Sequence, residues 1–216
     1  MAFRSRIYNS LDYFLYDFLR FIINSFAYIR SASNRRVEQA LREKLMVAVS
    51  SVLECKYCTW LHSEMALTHG VDEAEIQKLL SSELGDFPED ESVALAFAQH
   101  YSESGGKPNE GAKVKLFNYY GAKKAKDILS YIQIIYFGNL AGNTVDAFLS
   151  RLKGQAVEDS NLFTEVGIFM IVGPYYLGIL PVLAYILGYY NAKRQRRARG
   201  AVYNTLICSS GLDIWS

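Results

Sequence analysis

The stretch LREKLMVAVSSVLECKYCTWLHSEMALTHGVDEAEIQKL, residues 41–79, predicts three successive helices. Apolar side chains recur at helical spacing before and within it, at Val37, Leu41, Leu45 and Val49. The next helix begins near Cys55 and runs to His69, where Gly70 is a typical residue after a helix end. Acidic residues then open VDEAEIQKLLSS, as the dipole of a helix N-terminus favours.

The rest of the chain shows the same helical periodicity and almost no strand-like alternation. Pro88 opens a helix that Gly105 closes, and a short helix over 109–119 precedes a long one over 122–151. Near the N-terminus, residues 7–30 predict an amphipathic helix. Its apolar stripe consists of Ile7, Leu11, Phe14, Phe18 and Phe21. The sequence therefore predicts an all-α protein, a helical bundle with an extra hydrophobic C-terminal segment.

Four regions follow from these patterns. Residues 1–34 form an aromatic N-terminal helix, and residues 35–154 form the helical domain with the CxxCxxxH motif. Residues 155–192 form a hydrophobic segment, and residues 193–216 form a basic flank and tail.

Composition limits the possible functions. The chain has 216 residues, enough for one sizeable domain with an appendage, and a formal net charge of +1. That charge gives no global attraction for nucleic acid, which we do not expect as a partner. Three cysteines do not make a disulfide scaffold. The N-terminus lacks the uninterrupted apolar run of a secretory signal.

Residues 166–192 carry no charge and end at the basic run KRQRRAR. At about 1.5 Å per residue, the segment is longer than the roughly 30 Å apolar core of a bilayer. The sequence predicts membrane contact through residues 162–192, as a span, a re-entrant hairpin or a surface helix. A buried core helix or an oligomer interface is the alternative. Pro174 and Pro181 argue against one straight helix.

The chemistry of the chain centres on Cys55, Cys58 and His62. Positions i, i+3 and i+7 lie on one face of a helix, so these side chains point the same way. A helix N-terminus stabilises a thiolate, and the histidine one turn further can take up a proton. A thiolate can attack a peroxide or disulfide, and the second thiol can then resolve the product. The pattern therefore suits two-thiol redox chemistry.

Two other interpretations of the motif remain open. Cys55, Cys58 and His62 could supply three zinc ligands, although no second CxxC or HxxxH completes a closed site. The two cysteines could also be ordinary small buried residues. Cys208 lies far away in the tail.

The motif and its surroundings closely resemble the alkylhydroperoxidase D-like, or carboxymuconolactone decarboxylase, family. Glu43 stands twelve residues before the CxxCxxxH motif, as in that family. ESVALAFAQHYSES resembles its next helix, and YIQIIYFGNLAGNTVDAFL resembles its closing helix, with Asn139 and Asn143 in familiar places. The resemblance covers about residues 35–154. Tyr57 stands where the alkylhydroperoxidase D proteins themselves have histidine, which leaves peroxidase efficiency open.

The resemblance implies roles for four residues. Cys58 would be the peroxidatic nucleophile, and Cys55 would resolve its sulfenic acid to a disulfide. Glu43 and His62 would form the proton relay. Family members that decarboxylate a lactone lack the cysteine pair, so the resemblance does not imply that reaction here.

We therefore expect a dithiol oxidoreductase that reduces hydroperoxides or exchanges disulfides with a thiol electron donor, without a bound metal or flavin. The resemblance implies a homo-oligomer. Regeneration by thiols favours a reducing compartment, so we expect a cytoplasmic catalytic domain attached to a membrane. The alternatives are a non-enzymatic membrane-associated helical interaction module and a Cys/His zinc-binding protein.

Overall fold

The computed structural model describes residues 6–179, 182 and 185. These residues form seven α-helices and one short π-helix, with no strand among them. The α-helices are α1 (Leu11–Asn34), α2 (Gln39–Leu53), α3 (Lys56–Thr68), α4 (Glu73–Leu80), α5 (Glu89–Glu103), α6 (Glu110–Leu152) and α7 (Leu162–Pro174), and the π-helix spans Tyr175–Ile179. The predicted all-α class is confirmed.

Helix α2 is the central element of the bundle and packs against α3, α4, α5 and α6. Ten of its fifteen residues are buried, and most of these are apolar. Lys44 is an exception, and its Nζ lies 2.6 Å from Glu75 Oε1 and 2.7 Å from Glu91 Oε2. Two carboxylates thus compensate a buried ammonium group and tie α2 to α4 and α5.

Gly121 divides α6 into the two helices that the sequence predicts. Its φ of 71° and ψ of 160° are non-helical, a combination open almost only to glycine. Residues beyond this kink form the long buried part of α6, which packs on α1, α2, α5 and α7.

Helix α1 lies along α6 through the predicted aromatic stripe. Phe14 is fully buried, and the ring of Phe21 stacks on Phe137 with centroids 4.6 Å apart. Asn24 Nδ2 donates to Gln133 Oε1 at 2.7 Å. The opposite face of α1 exposes large apolar side chains, namely Leu15, Tyr16, Leu19, Ile22, Ile23, Phe26 and Ile29.

Helix α7 packs against α6, to which an ion pair joins it, and against α1. Glu165 is fully buried, and Arg151 donates to its carboxylate from Nε at 2.6 Å and from Nη2 at 3.0 Å. Gly167 lies so close to Leu11 that a Cβ there would be 2.8 Å from Leu11 Cδ2.

The predicted membrane-inserted segment over 166–192 is only partly covered by the described residues. Its first part forms α7 and the π-helix, and Ile168 is fully buried in the bundle core. In the part of the chain that the structure describes, no helix has the length and apolar character needed to cross a bilayer, so the membrane prediction finds no support there. Beyond Ile179, all of this segment except Val182 and Tyr185 lies outside the described residues, as do the basic flank and Cys208.

Candidate functional site

The cysteine pair sits at the junction between α2 and α3. Glu54 ends α2 in the left-handed region with a φ of 52°, and the chain then turns directly into α3. Cys55 is the N-cap of α3, and its backbone N–H donates to the carbonyl of Ser50 at 3.2 Å. Cys58 follows in the first turn of α3, so both sulfurs lie at a helix N-terminus, where free N–H groups favour negative charge.

The two sulfurs are close enough for a hydrogen bond, which shifts the pKa values of the two thiols in opposite directions. The thiol of Cys58 donates to Cys55, and this is the main reason why the pKa of Cys55 is lowered. Burial opposes that change, while the backbone N–H groups of Cys58 and Tyr57 support it. The hydrogen bond and burial together raise the pKa of Cys58 well above its usual value. Of the two thiols, Cys55 is therefore the more acidic.

Glu43 and His62 are joined directly across α2 and α3. Nδ1 of His62 lies 2.8 Å from Oε2 of Glu43, whose side chain is only 1% exposed. Burial alone would raise the pKa of Glu43, but His62 and Arg42 outweigh it and the pKa is lowered. Arg42 donates from Nε to the other carboxylate oxygen at 2.9 Å. The acid is therefore ionised at neutral pH, with one partner on each oxygen.

Two asparagines of α6 hold the junction beneath the cysteines. Nδ2 of Asn143 donates to the carbonyl of Leu53 at 2.8 Å, which satisfies one of the last carbonyls of α2. Nδ2 of Asn139 donates to Ser50 Oγ at 3.1 Å, and its Oδ1 has no hydrogen-bond partner. These contacts place both asparagines at the end of α2, and neither forms a hydrogen bond with Glu43 or His62.

Side chains from three other elements surround the site. Asp146 of α6 lies near enough for its charge to raise the pKa of Cys55. Tyr175 and Tyr176 of the π-helix are near Cys58, whose charge adds to the effect of burial in raising their pKa values. Tyr28 of α1 approaches Glu43 and Arg42. The site is thus built where α1, α2, α3, α6 and the π-helix meet.

The zinc alternative requires a group of ligands that converge on one point. Within residues 6–179, 182 and 185, no three or more His, Cys, Asp or Glu side chains are placed to hold a metal ion. Cys55, Cys58 and His62 therefore do not form such a group. The structure offers this alternative no site in the described part of the chain.

The structure brings together the residues that the sequence singles out, in two pairs. Cys55 lies against Cys58, and Glu43 against His62, which is one helical turn beyond Cys58. Sequence reasoning missed Arg42, Asp146 and the two tyrosines of the π-helix. Arg42 follows no helical neighbour rule, because adjacent residues on a helix do not face each other.

Comparison with known proteins supports the resemblance. The model of the carboxymuconolactone decarboxylase family matches residues 17–98, which confirms the resemblance found in the sequence. The match starts within α1 and ends within α5, so it shares residues 35–98 with the predicted domain. No curated protein and no solved structure matches the chain. The family includes decarboxylases and alkylhydroperoxidases and is compatible with a redox enzyme.

Proposed function

We propose that this chain is a dithiol oxidoreductase of the alkylhydroperoxidase type, because residues 17–98 match the model of the carboxymuconolactone decarboxylase family. Cys55 and Cys58 form its redox pair, and Glu43 and His62 move the proton. The single observation that carries the proposal is the hydrogen bond of 2.8 Å between His62 and Glu43, one helical turn from a CxxC pair at a helix N-terminus. Neither pair alone would distinguish an enzyme from a well-packed core.

The first chemical step is attack of a cysteine thiolate on the outer oxygen of a hydroperoxide. The S–O bond forms and the O–O bond breaks, giving a sulfenic acid and an alkoxide. The alkoxide takes a proton from the remaining thiol or from a histidine that Glu43 holds in place, and leaves as an alcohol. The sulfur is oxidised by two electrons and the hydroperoxide is reduced by two.

The second step closes the disulfide. The other thiolate attacks the sulfenic sulfur, the S–S bond forms, and hydroxide leaves and is protonated to water. Two thiols and one hydroperoxide thus give one disulfide, one alcohol and one water. A thiol donor, either a protein or a small-molecule dithiol, then reduces the disulfide by exchange.

The two cysteines divide the work according to charge and access. Cys55 is fully buried and has the lowered pKa, while Cys58 is 7% exposed and lies nearer His62 along α3. Cys58 becomes the nucleophile when it passes its proton across the hydrogen bond to Cys55. Cys55 then returns the proton to the products and resolves the sulfenic acid. This order of steps keeps the roles that the family resemblance implies, and the lowered pKa of Cys55 allows it to act as the resolving thiolate.

The cycle needs a supply of reduced thiols and no metal or flavin. We therefore place the enzyme in a reducing compartment such as the cytoplasm. Its substrates are a hydroperoxide or a disulfide, and its second partner is a thiol electron donor.

Steady-state turnover tests the proposal directly. All variants carry Cys208→Ser, so that only Cys55 and Cys58 contribute thiols, and hydroperoxide consumption is followed with a dithiol donor. We expect Cys58→Ser to lose turnover. Cys55→Ser should form a sulfenic acid or a mixed disulfide on Cys58, which intact-mass measurement detects.

Equal rates of hydroperoxide consumption in the parent and in both single variants would contradict the proposed function. Trapping on Cys55 in the Cys58→Ser variant, with none on Cys58 in the Cys55→Ser variant, would keep the dithiol function and reverse the two roles.

A further inference from the structure

Tyr176 packs against α6 at two glycines, Gly138 and Gly142, which lie one turn apart. Its hydroxyl donates a hydrogen bond to the carbonyl of Gly138. Its ring lies against Gly142, where an added Cβ would be 2.8 Å from Cε1 of the tyrosine. At Gly138, an added Cβ would lie 3.7 Å from the tyrosine hydroxyl, an ordinary contact. Gly142 therefore sets how closely the C-terminal segment can approach α6.

The same face of α6 leads to the cysteine pair. Gly138, Gly142 and Asp146 follow each other at intervals of one turn and share a face of the helix. The charge of Asp146 reaches Cys55, and the neighbouring Asn143 binds the carbonyl of Leu53 at the end of α2. Tyr176, held on α6 by these contacts, is near enough to both sulfurs for their charges to act on it.

Other aromatic groups extend this contact toward the surface. Tyr175, next in the chain, is 46% exposed and also lies near Cys58. Tyr28 of α1 comes close enough to Tyr175 and Glu43 for their charges to act on it. Both cysteines are buried, with Cys55 0% and Cys58 7% exposed.

We propose that Tyr175 and Tyr176 form the wall of the entrance to the dithiol, and that Tyr176 is a specificity-determining residue that limits the size of the oxidant. The aromatic lining suits an organic hydroperoxide with an apolar substituent, which gains contact with the rings. The choice of hydroperoxide rests on the proposed function, whereas the wall itself does not. A π-helix placed here fits such a role, because π-helical turns often occur at functional sites.

A matched pair of glycine substitutions tests the wall without removing the tyrosine. Gly142→Ala forces the ring of Tyr176 from its seat, and Gly138→Ala, one turn away on the same helix, does not. The measurement is the alkylation rate of the reduced dithiol by iodoacetamide in the full chain carrying Cys208→Ser. We expect Gly142→Ala to raise the rate about tenfold, equivalent to about 1.4 kcal/mol, and Gly138→Ala to leave it within about twofold.

Substitutions of the tyrosine itself give a second readout. Tyr176→Phe keeps the ring and loses one hydrogen bond, and should raise alkylation by about threefold to tenfold. Tyr176→Ala should also raise kcat/KM for cumene hydroperoxide relative to hydrogen peroxide, because it widens the entrance. Thermal unfolding of each variant shows that the bundle is still folded.

The outcomes separate this inference from the function on which it draws. Equal alkylation rates in Gly142→Ala, Gly138→Ala and the parent would overturn the wall. Faster alkylation in Gly142→Ala but not in Gly138→Ala supports the proposed wall, whether or not the protein consumes hydroperoxide. If alkylation changes in this way but no variant consumes hydroperoxide, the hydroperoxide reaction and the size selection are contradicted. Turnover in the parent with an unchanged substrate ratio in Tyr176→Ala would overturn the role of Tyr176 in specificity.

Discussion

At the scale of single residues, Glu43 is the group on which the site depends. A buried carboxylate is unfavourable unless charged or hydrogen-bonding partners compensate it. His62 takes one oxygen and Arg42 the other, and the pKa of Glu43 falls below its usual value despite burial. The carboxylate can therefore hold His62 in one orientation.

Glu43→Gln tests this role, because it keeps the shape of the side chain and removes the charge. We expect turnover with hydroperoxide to fall by about 10²–10⁴-fold, the range that loss of general acid–base assistance gives. The exposed Glu38, at the start of the same helix, provides the control Glu38→Gln. Equal rates for the two variants would exclude Glu43 from the relay.

The pKa of Cys55 gives a second prediction at this scale. Its lowering comes first from the hydrogen bond of the Cys58 thiol, so removal of that thiol should raise it. Because the thiolate is the reactive form, the alkylation rate of Cys55 should rise with pH and reach half its maximum below pH 9.0, the ordinary value. In Cys58→Ala the midpoint should move to higher pH, because the Cys55 thiolate loses its hydrogen-bond donor. A midpoint that stays unchanged would show that the Cys58 thiol does not stabilise the Cys55 thiolate.

Local spacing explains which parts of this site could be predicted from the sequence. The CxxCxxxH motif and Glu43 lie on two consecutive helices, and their pairing follows from periodicity and from the family pattern. The seat of Tyr176 depends on packing between segments over thirty residues apart, which one sequence does not reveal. The difference in pKa between Cys55 and Cys58 depends on backbone geometry at the N-cap of α3, so it also required the structure.

At the scale of helices, one ion pair fixes α7 to the bundle and so places the π-helix that follows it. Glu165 is fully buried and meets the guanidinium of Arg151 in two hydrogen bonds. The hydrogen bond from Arg151 is the main cause of the lowered pKa of Glu165. The stabilisation is therefore present above about pH 4.5, the ordinary value, and is lost as the pH falls through the lower folded value.

Arg151→Met leaves the carboxylate of Glu165 without its partner. We expect the free energy of unfolding to fall by about 1.5–3 kcal/mol, measured by urea denaturation at pH 7. The double variant Arg151→Met/Glu165→Met should recover most of that loss, because two apolar side chains replace the pair. Lys126→Met, at an exposed position of α6, is the control and should be close to neutral. A loss in Lys126→Met as large as that in Arg151→Met would contradict the role of the pair.

The kink in α6 gives a further prediction at this scale. Gly121 has a φ of 71° with open space around its Cα, so a substitution there is penalised by backbone strain and not by a clash. We expect Gly121→Ala to lower the free energy of unfolding by about 1–3 kcal/mol. Gly85, which also has open space but no left-handed φ, provides the matched control Gly85→Ala. Similar stabilities for the two variants would contradict the strained kink.

At the scale of the whole molecule, α1 exposes an apolar stripe that the bundle does not cover. Leu15, Leu19, Ile22, Phe26 and Ile29 are each more than 40% exposed. They alternate at spacings of four and three residues, the pattern of a two-helix seam. We propose that a second copy of this chain covers the stripe. Antiparallel pairing of two α1 helices would bring Asp12 of one copy toward Arg30 of the other, which matches their charges.

Phe26→Glu places a charge in the centre of the stripe. We expect it to turn a dimer into a monomer in light scattering after gel filtration, because burial of an unpaired charge opposes association. Ala32→Glu adds the same charge at an exposed position outside the stripe and should leave the dimer intact. A monomeric parent protein, or dissociation in both variants, would contradict the paired stripe.

The central claim is that Cys55 and Cys58 are a working redox pair, and a single-turnover titration tests it most directly. Reduced protein carrying Cys208→Ser is mixed with increasing hydroperoxide without a donor, and thiols and disulfides are mapped by mass spectrometry. We expect both thiols to disappear at about one equivalent of hydroperoxide, with a disulfide between Cys55 and Cys58 as the product. Two intact thiols after excess hydroperoxide would contradict the claim.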